Sequence, residues 1–344
     1  MQTTGALQQL PRTGDFDGAA LASARYIDPA QWNSDDPILG LVREAGYLYG
    51  TVRDSAGEMY SIARRIPARE DVAPDTARGF RSLGSALILL STLSPTGESR
   101  DLMRLRRGAR TAPRSDGLRR TPRSDGVRFA STSSDTGAMQ LDLGVDSFAY
   151  REDGLVDVAG QRNCPALQWY LPGPEAAVLY LTQTWEVEGS VLGREVRGFL
   201  SWEEAYMYPG GRMYIAKDPL DAVDYFSWYS GATRFSDGTT EVRHFSLGGK
   251  SFGFAVASSS MGEVTAGRHV SGVVHLREDD WHEGIDVDVD GVAWRCEPDR
   301  RGHMELGPIA NPQQEGRIFR ADDTRTPEIH MAWGEIVPGR VTLP

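Results

Sequence analysis

The sequence predicts an all-β protein made of two antiparallel β-barrels or sandwiches in tandem. Short segments in which apolar and polar residues alternate recur along the chain, and turns rich in glycine, aspartate and proline separate them. Such a pattern is typical of antiparallel sandwiches and barrels. After residue 40 no segment keeps a helical period over three turns. Because 344 residues are too many for one small barrel, we expect two.

The predicted domains follow from a change of pattern near residue 40 and from a glycine-rich stretch past the middle of the chain. Residues 1–40 are polar and mixed, and we expect a lead-in segment there with a short helix over 18–26. The first barrel is predicted at 41–192. The second is predicted at 193–344, with the junction in the glycine-rich stretch 189–198.

Two hairpins support the antiparallel prediction. The alternating segments 47–53 and 58–64 are separated by a short turn that contains glycine, as expected for paired strands. Residues 285–290 alternate strictly between apolar and acidic side chains, which predicts a strand with one solvated face. The Asp290-Gly291 pair then predicts a tight turn into the next strand.

The composition restricts the function class and the compartment. A net charge of −11 argues against a nucleic-acid-binding surface. The two cysteines, Cys164 and Cys296, are too few for a disulfide framework, so we expect a cytoplasmic protein. No uncharged apolar run approaches the roughly 20 residues of a membrane helix, and residues 1–9 lack a signal-peptide pattern. We therefore expect no integral membrane segment, and the sequence leaves a homodimer open.

Residues 100–128 are the one break in composition, with ten arginines and no lysine. The sequence Pro-Arg-Ser-Asp-Gly occurs twice, at 113–117 and 122–126, and each copy has proline early and Asp-Gly late, as turns do. Two interpretations stay open. The segment is either a long solvated hairpin loop of the first barrel or a basic rim that attracts an anionic ligand or partner.

The stretch 193–208 is the centre of the predicted site. Side chains of a strand alternate between its two faces. One face would then carry Leu200, Trp202, Glu204, Tyr206 and Tyr208. A carboxylate is unusual on a face with so much aromatic surface, which makes Glu204 the first candidate. Its neighbour Glu203 points the other way and ranks lower.

Short motifs in the same region and in the tail resemble a known family. They are Trp185-Glu186-Val187-Glu188-Gly189, Ser201-Trp202, Glu315-Gly316-Arg317 and Trp333-Gly334-Glu335. They resemble the middle motif and closing strands of two-barrel lipocalin-like (calycin) proteins, which include the carotenoid 1,2-hydratases (hydroxyneurosporene synthases) and related barrel-type cyclases. That family carries Asp-His before Ser-Trp, whereas this chain has Phe199-Leu200, so the polar dyad of the family is absent.

The resemblance implies a pocket for an apolar ligand inside or between barrels. Carboxyl groups facing such a pocket would be poorly solvated, and the resulting rise in pKa suits general acids near neutral pH. Hydration, dehydration, double-bond isomerisation or cyclisation of a terpenoid- or polyketide-like molecule needs an acid, a base and a dry cavity. We therefore expect a cofactor-independent lyase or isomerase with a lipophilic substrate. A non-catalytic carrier of the same ligand is the main alternative, and an interaction protein using the arginine-rich segment is a third.

Four residues are predicted to carry the proton transfers. Glu204 is the expected acid, and Glu335 could assist because it lies in register with Trp333. Asp280 and His282 belong to the densest polar cluster of the chain. For the two glutamates the alternative is an ion pair with one of the many arginines, and for the cluster it is an acidic loop. The predicted pocket walls are Trp202, Tyr206, Tyr208, Tyr225, Tyr229, Trp281 and Trp333.

No metal or cofactor is predicted. His-x-His, His-Glu-x-x-His and Cys-x-x-Cys spacings are absent, and so is a phosphate-binding glycine loop. His244 shares a predicted strand face with Val242 and Ser246. A lone histidine in such a place is more often a structural group with satisfied hydrogen bonds than a functional one.

Overall fold

The computed structural model describes residues 20–68, 87–91, 103–107, 118–131, 139–213, 216–219, 226–248, 253–267, 269–276, 282–304 and 313–336. Within these ranges the chain forms 22 strands and one short helix. The strands lie in two antiparallel sheets, each curled into a half-barrel. The predicted fold class, all-β with two antiparallel barrels or sandwiches, is confirmed. No helix in the described ranges is long and apolar enough to cross a membrane.

The first sheet contains 13 strands. They are β1 (Leu21–Arg25), β2 (Val42–Asp54), β3 (Met59–Pro67), β4 (Leu87–Ser91), β5 (Met103–Arg107), β6 (Leu118–Arg123), β7 (Gly126–Ser131), β8 (Met139–Gly144), β9 (Ser147–Glu152), β10 (Val156–Gln161), β11 (Ala166–Leu171), β12 (Val178–Val191) and β13 (Arg194–Met207). Their order is β5-β4-β3-β2-β13-β12-β10-β9-β8-β7-β6, and β11 pairs with both β12 and β1. The long strands β2, β12 and β13 therefore lie side by side in its middle.

The second sheet contains nine strands. They are β14 (Phe226–Phe235), β15 (Thr240–Gly248), β16 (Gly253–Ser259), β17 (Val264–Ala266), β18 (Val270–Leu276), β19 (His282–Val289), β20 (Val292–Met304), β21 (Gln313–Arg320) and β22 (Pro327–Ile336). Their order is β17-β16-β15-β14-β22-β21-β20-β19-β18. β22 therefore lies next to β14, the first strand of the same sheet, although the two are far apart in the sequence.

The chain changes from the first sheet to the second between Met207 and Phe226, later than the junction predicted at 192/193. β13 is hydrogen-bonded to both β12 and β2 and so belongs to the first sheet. The glycine-rich stretch 189–198 is a hairpin and not a linker. Leu192 and Gly193 have left-handed φ values of 51° and 76°, as a two-residue turn between antiparallel strands requires.

The described part of the lead-in segment, residues 20–40, contributes a strand to the first sheet. Residues 21–25, which fall within the helix predicted over 18–26, form β1 instead and pair with β11. Pairing with a neighbouring strand supplies backbone hydrogen bonds that outweigh the weak helical preference of so short a segment. That part of the sequence-based prediction is wrong.

A short helix completes the lead-in segment. Helix α1 (Pro29–Asn33) begins after Asp28, whose side chain accepts a hydrogen bond from the amide of Ala30 at 2.8 Å. Trp32 on this helix is 1% exposed, and its ring lies 5.8 Å from that of Trp185 on β12. The lead-in segment therefore contributes an aromatic side chain to the core of the first sheet.

Both predicted hairpins are present. β2 pairs with β3 and β19 with β20 in antiparallel register. Asp290 and Gly291 have φ values of 52° and 86°, the left-handed conformation that a type I′ turn needs at both positions. Asp-Gly satisfies this requirement because aspartate tolerates the left-handed region and glycine has no Cβ.

The described residues of the arginine-rich segment form strands, with a turn at residues 124 and 125. Residues 103–107 are β5, and 118–123 pair with 126–131 as the hairpin of β6 and β7, so the loop interpretation fails for these residues. Several arginines here are paired with acidic side chains. Arg128 contacts Asp142, with Nε 2.5 Å from Oδ1.

Two buried clusters each belong to one sheet. The cluster within the first sheet includes Leu48, Trp185 and Trp202, and the cluster within the second includes Tyr229 and Phe245. Both sheets therefore have a core of their own, as two packed half-barrels require.

A third buried cluster joins the two sheets. From the first sheet it includes Tyr49 and Met207, and from the second Trp228, Met331 and Trp333. We call this cluster, with the polar side chains enclosed in it, the inter-sheet layer. It is formed by the middle strands of the first sheet and by β14, β15, β16 and β22.

Trp32→Ala is expected to lower the free energy of unfolding by about 3–5 kcal/mol, the usual cost of removing a buried tryptophan. Chemical denaturation followed by circular dichroism measures the change. Leu39→Ala is the matched control, because Leu39 lies in the same segment but is 66% exposed. Equal stabilities of the two variants would contradict the assignment of the lead-in segment to the core.

Candidate functional site

β13 is buried on both faces, and two glutamates follow one another on it. Trp202 points into the first-sheet core, and Ala205 points into the inter-sheet layer. Since side chains alternate along a strand, Glu204 faces the first-sheet core and Glu203 faces the layer. Their exposed fractions are only 1% and 6%, so both carboxyl groups are removed from water.

The carboxylate of Glu204 is surrounded by donors on its own side of β13. The Trp202 Nε1–H donates to Oε1 at 3.3 Å, and the Tyr206 hydroxyl donates to Oε2 at 2.6 Å. Arg43 places Nε 3.4 Å from Oε1. Trp202 packs over Gly46 of β2, where a Cβ would overlap its ring. Trp202, Glu204 and Tyr206 thus share one face, as the alternation predicts.

Arg43 connects this carboxylate to the lead-in segment. Its guanidinium donates to the carbonyl oxygens of Gln31 and Ser34 at 3.3 and 3.1 Å, and it lies 3.4 Å from Asp35. Glu204 is therefore the partner of a buried arginine, the alternative to a catalytic role that the sequence leaves open. The geometry gives Glu204 an anchoring role, because all its described partners are donors to the charged form.

Glu203 has a different environment on the opposite face. The hydroxyl of Thr182 on β12 donates to Oε1 at 2.8 Å. Burial raises the pKa of Glu203 to about 8, the Thr182 hydrogen bond opposes this rise, and the charge of Glu335 adds to it. The Glu203 carboxyl is therefore neutral at pH 7 and carries a proton that it can donate.

Tyr49 links the two sheets beside Glu203. Its hydroxyl donates to Ser230 Oγ on β14 at 3.0 Å, and its ring lies 5.7 Å from those of both Trp228 and Trp333. Burial, followed by the charge of Glu203, raises the pKa of Tyr49 well above its ordinary value. Tyr49 therefore stays protonated and gives the layer a second hydroxyl donor.

His244 lies next to this group on β15. It is 1% exposed, it is the cross-strand neighbour of Ser230, and its ring meets Trp228 edge to face at 5.4 Å. Neither ring nitrogen has a hydrogen-bond partner among the residues that the structure describes. Burial lowers the pKa of His244 to about 3, so the imidazole is neutral. The sequence predicts a structural histidine whose hydrogen bonds are satisfied, but within the described residues His244 lacks these bonds.

Two further glutamates of the second sheet border the layer. Glu335 is half-buried and is the cross-strand neighbour of Trp228, on the strand face that also carries Trp333. Glu315 on β21 is fully buried. Burial raises the pKa of Glu315 to about 8, and the charge of Arg53 opposes the rise. Glu335 thus lies near Glu203 and not on the same side as Glu204.

The residues predicted from sequence fall into separate places. Glu204 and Trp202 face the first-sheet core, and Tyr206 on the same strand face belongs to a smaller buried cluster with Leu41 and Leu179. Glu335 and Trp333 face the inter-sheet layer. Tyr208 is half-buried and donates to the carbonyl oxygen of Gly173 at 3.2 Å, and Tyr229 lies in the second-sheet core. The backbone of His282 begins β19, but its side chain is outside the described part of the structure. Three predicted residues lie wholly outside the described ranges: Tyr225, Asp280 and Trp281.

Sequence reasoning missed Glu203, Tyr49 and His244 as a group. A signal for Glu203 was present, because Phe199, Ala205 and Met207 on its face are as apolar as the residues on the other face. A strand that is apolar on both faces is covered on both. His244 has no comparable signal, since its contact with Trp228 depends on the pairing of β14 with β15.

Metal ligation has no geometric support within the described ranges. No group of three or more histidine, cysteine, aspartate or glutamate side chains lies close enough there to hold a metal ion. The hydrogen-bonding groups of the layer are carboxyl, hydroxyl and imidazole groups, which suit proton transfer and the binding of neutral oxygen-containing groups.

A cleft of about 780 Å³ opens at one end of the seam between the sheets. β2 contributes Arg53 and β22 contributes Ile329 and His330 to its lining. The Arg53 guanidinium donates to the carbonyl oxygen of His330 at 2.7 Å. Tyr49 is four residues from Arg53 along β2, so the cleft and the tyrosine are separated by roughly 13 Å of strand.

Similarity to known proteins is found in structure and not in sequence. No protein-family model matches it, and no curated protein matches it in sequence. It is similar to a crystal structure described as an AttH protein from Nitrosomonas europaea, with 14% identity, a TM-score of 0.46, and coverage of 86% of this chain and 92% of that chain.

Two further solved structures are similar over most of their length. For CghA the identity is 10%, the TM-score is 0.46, and 97% of this chain and 98% of that chain are covered. For kievitone hydratase from Nectria haematococca the identity is 9%, the TM-score is 0.39, and 97% of each chain is covered. With TM-scores below 0.5, these likenesses assign neither a family nor a function to the chain.

Glu203→Gln is expected to flatten the dependence of stability on pH. The unfolded glutamate loses its proton near its ordinary pKa, whereas the folded one keeps it up to about 8. Between these values the folded state binds the extra proton, so wild-type stability falls as the pH rises. The neutral amide escapes this loss. Thermal and urea unfolding at pH 5 and pH 8 should show the variant gaining on the order of 4 kcal/mol relative to wild type over this interval.

Glu175→Gln is the control for this comparison, because Glu175 is an exposed carboxylate in the turn before β12. Its unfolding curves should run parallel to those of the wild type at both pH values. A Glu203→Gln variant that also ran parallel to the wild type would contradict the neutral state of Glu203.

Glu204→Gln is expected to destabilise the protein by roughly 3 kcal/mol, because Arg43 then loses its buried counter-charge and keeps only the exposed carboxylate of Asp35. Urea unfolding at pH 7 measures the loss. The double variant Arg43→Met with Glu204→Leu should recover much of it, since a buried ion pair can be replaced by apolar groups of similar size. Wild-type stability in the single variant would show that the pair is not a structural anchor.

Proposed function

We propose that the protein is a cofactor-independent acid–base enzyme acting on a lipophilic, terpenoid- or polyketide-like molecule in the inter-sheet layer. The observation that carries the proposal is the Glu203 carboxyl, which is buried among aromatic side chains and keeps its proton at neutral pH. Raised carboxyl pKa values of this kind are found where an enzyme needs a general acid.

The chemistry requires one proton donor and one proton acceptor. Neutral Glu203 protonates an alkene carbon or a departing hydroxyl group, and its carboxylate forms. A base on the opposite side of the substrate takes a proton from carbon or from an attacking water. When the product leaves, this base releases its proton and the Glu203 carboxylate takes one up, so both groups return to their starting states. Glu335 is the group we propose as this base, because it faces the same layer. Hydration, dehydration, double-bond isomerisation and cyclisation all follow this scheme.

The reaction also needs a way to stabilise positive charge on carbon, and aromatic rings provide it. A carbon that gains a proton becomes positively charged, and the faces of Trp228 and Trp333 can stabilise such a charge. Both rings belong to the layer that contains Glu203. Tyr49 holds the two sheets together at this point through Ser230, so the donor and the rings stay in register.

We propose Glu203 as the acid in place of Glu204, the first candidate from the sequence. Glu204 accepts hydrogen bonds from Trp202 and Tyr206 and is paired with Arg43, so both of its carboxyl oxygens are already held by structural partners. Of the other predicted catalytic residues, Asp280 and His282 stay predictions. The cleft of about 780 Å³ has the size of a small-molecule site, and we propose it as the entrance to the layer.

Deuterium incorporation tests the proposal without knowledge of the substrate. Lipophilic ketones, allylic alcohols and terpenoid alkenes are incubated with the protein in deuterated water, and products are analysed by mass spectrometry. Wild type should label at least one class, and Glu203→Gln should lower the rate by about a hundredfold or more, the usual contribution of a general acid. The rate should fall as the pH rises through about 8, because the protonated form is the active one.

The control variant is again Glu175→Gln, which should label at the wild-type rate. Equal labelling by wild type and Glu203→Gln would remove Glu203 from the mechanism. Tight binding of the same compounds with no labelling by either protein would instead support the carrier alternative.

A further inference from the structure

We infer that His244 binds an oxygen function of the ligand, which makes the substrate an oxygenated lipophile bearing a carbonyl or hydroxyl group and not a plain hydrocarbon. The inference rests on the proposed function, because it places the ligand in the inter-sheet layer. It concerns recognition, however, and not the proton transfer assigned to Glu203.

The imidazole of His244 has unmatched hydrogen-bonding capacity within the described residues. A neutral histidine has one N–H donor and one acceptor nitrogen, and neither has a partner among the residues that the structure describes. Other buried side chains in those residues leave a single polar atom unmatched, whereas His244 leaves two. Buried polar groups without partners cost free energy and are uncommon unless a ligand supplies the bonds.

His244 is positioned among the aromatic side chains of the inter-sheet layer. His244 faces the inter-sheet layer with Val242, which belongs to that buried cluster, and its ring contacts Trp228 at 5.4 Å. Trp228 in turn lies 5.7 Å from Tyr49. The histidine is therefore in the same aromatic group as the proposed reaction site. It is 1% exposed, so bulk water does not satisfy it.

The imidazole of His244 is neutral in this environment. Nothing described next to His244 is a fixed charge that would hold the imidazolium form, and burial in the aromatic layer favours the neutral ring. A neutral imidazole is a poor proton donor but binds neutral oxygen groups from either side, donating to a carbonyl oxygen or accepting from a hydroxyl. The role that follows is to orient the oxygenated end of the substrate while its hydrocarbon part meets Trp228 and Trp333.

Three probes of one shape separate this role from simple hydrophobic binding: naphthalene, 2-acetylnaphthalene and 2-naphthol. Their dissociation constants are measured by isothermal titration calorimetry on the wild type and on His244→Phe. The decisive quantity is the preference of each protein for an oxygenated probe over naphthalene. Comparing this ratio between the two proteins cancels the cost of desolvating the probe itself.

The wild type should prefer 2-acetylnaphthalene or 2-naphthol over naphthalene about tenfold more than His244→Phe does, while naphthalene itself binds both proteins with similar affinity. His244→Gln keeps a donor and an acceptor and should recover part of the preference. His275→Phe is the control, because His275 pairs with Asp286 on β18 and β19 at a nitrogen–oxygen distance of 2.6 Å. It should keep the wild-type ratio.

Thermal unfolding of each variant shows whether it is folded. Removing an unmatched buried imidazole should leave His244→Phe at least as stable as the wild type. An unchanged ratio in a folded His244→Phe variant would overturn the inference, and so would the absence of binding of all three probes to the wild type. The Glu203→Gln variant distinguishes this inference from the proposed function. It should keep the wild-type preference for oxygenated probes while losing deuterium incorporation.

Discussion

The burial of both faces of β13 is the constraint on which the rest of the structure depends. One face packs into the first-sheet core through Trp202, and the other packs against the second sheet through Phe199 and Met207. No side chain from the middle of the strand reaches water, so each polar group there must find a partner or give up its charge. The two glutamates at 203 and 204 meet this requirement in different ways.

The two neighbours show how the environment, and not the residue type, decides what a carboxyl group can do. Glu204 accepts hydrogen bonds from Trp202 and Tyr206 and lies 3.4 Å from Nε of Arg43, and Arg43 in turn donates to backbone carbonyl groups of the lead-in segment. Glu203 has one hydroxyl donor, Thr182, and an apolar surrounding, so it keeps its proton. The first arrangement stabilises the fold, and the second leaves a reactive group in a dry layer.

The sequence was a good guide to the strands and turns that depend on local pattern, although it wrongly predicted a helix where β1 forms. Alternation predicted the strands, and Asp290-Gly291 predicted its turn because the backbone conformation required there suits those two residue types. It was a poor guide to what depends on partners distant in the chain. The pairing of β13 with β2, the covering of Glu203 by the second sheet and the surroundings of His244 each need contacts that no local pattern specifies. The resemblance to two-barrel hydratases pointed to an apolar pocket with a carboxyl group. The carboxyl group that it favoured was that of Glu204, which is paired with Arg43.

Within the part of the chain that the structure describes, the strands pass from one sheet to the other once, between Met207 and Phe226. This connection is a place where the protein could be divided. A cut in that connection would give two separate polypeptides, each containing every described strand of its own sheet. On mixing, the inter-sheet layer would become the contact between two partners. Since Glu203 takes up a proton when it is covered, the two fragments would associate more tightly in mildly acidic than in alkaline solution.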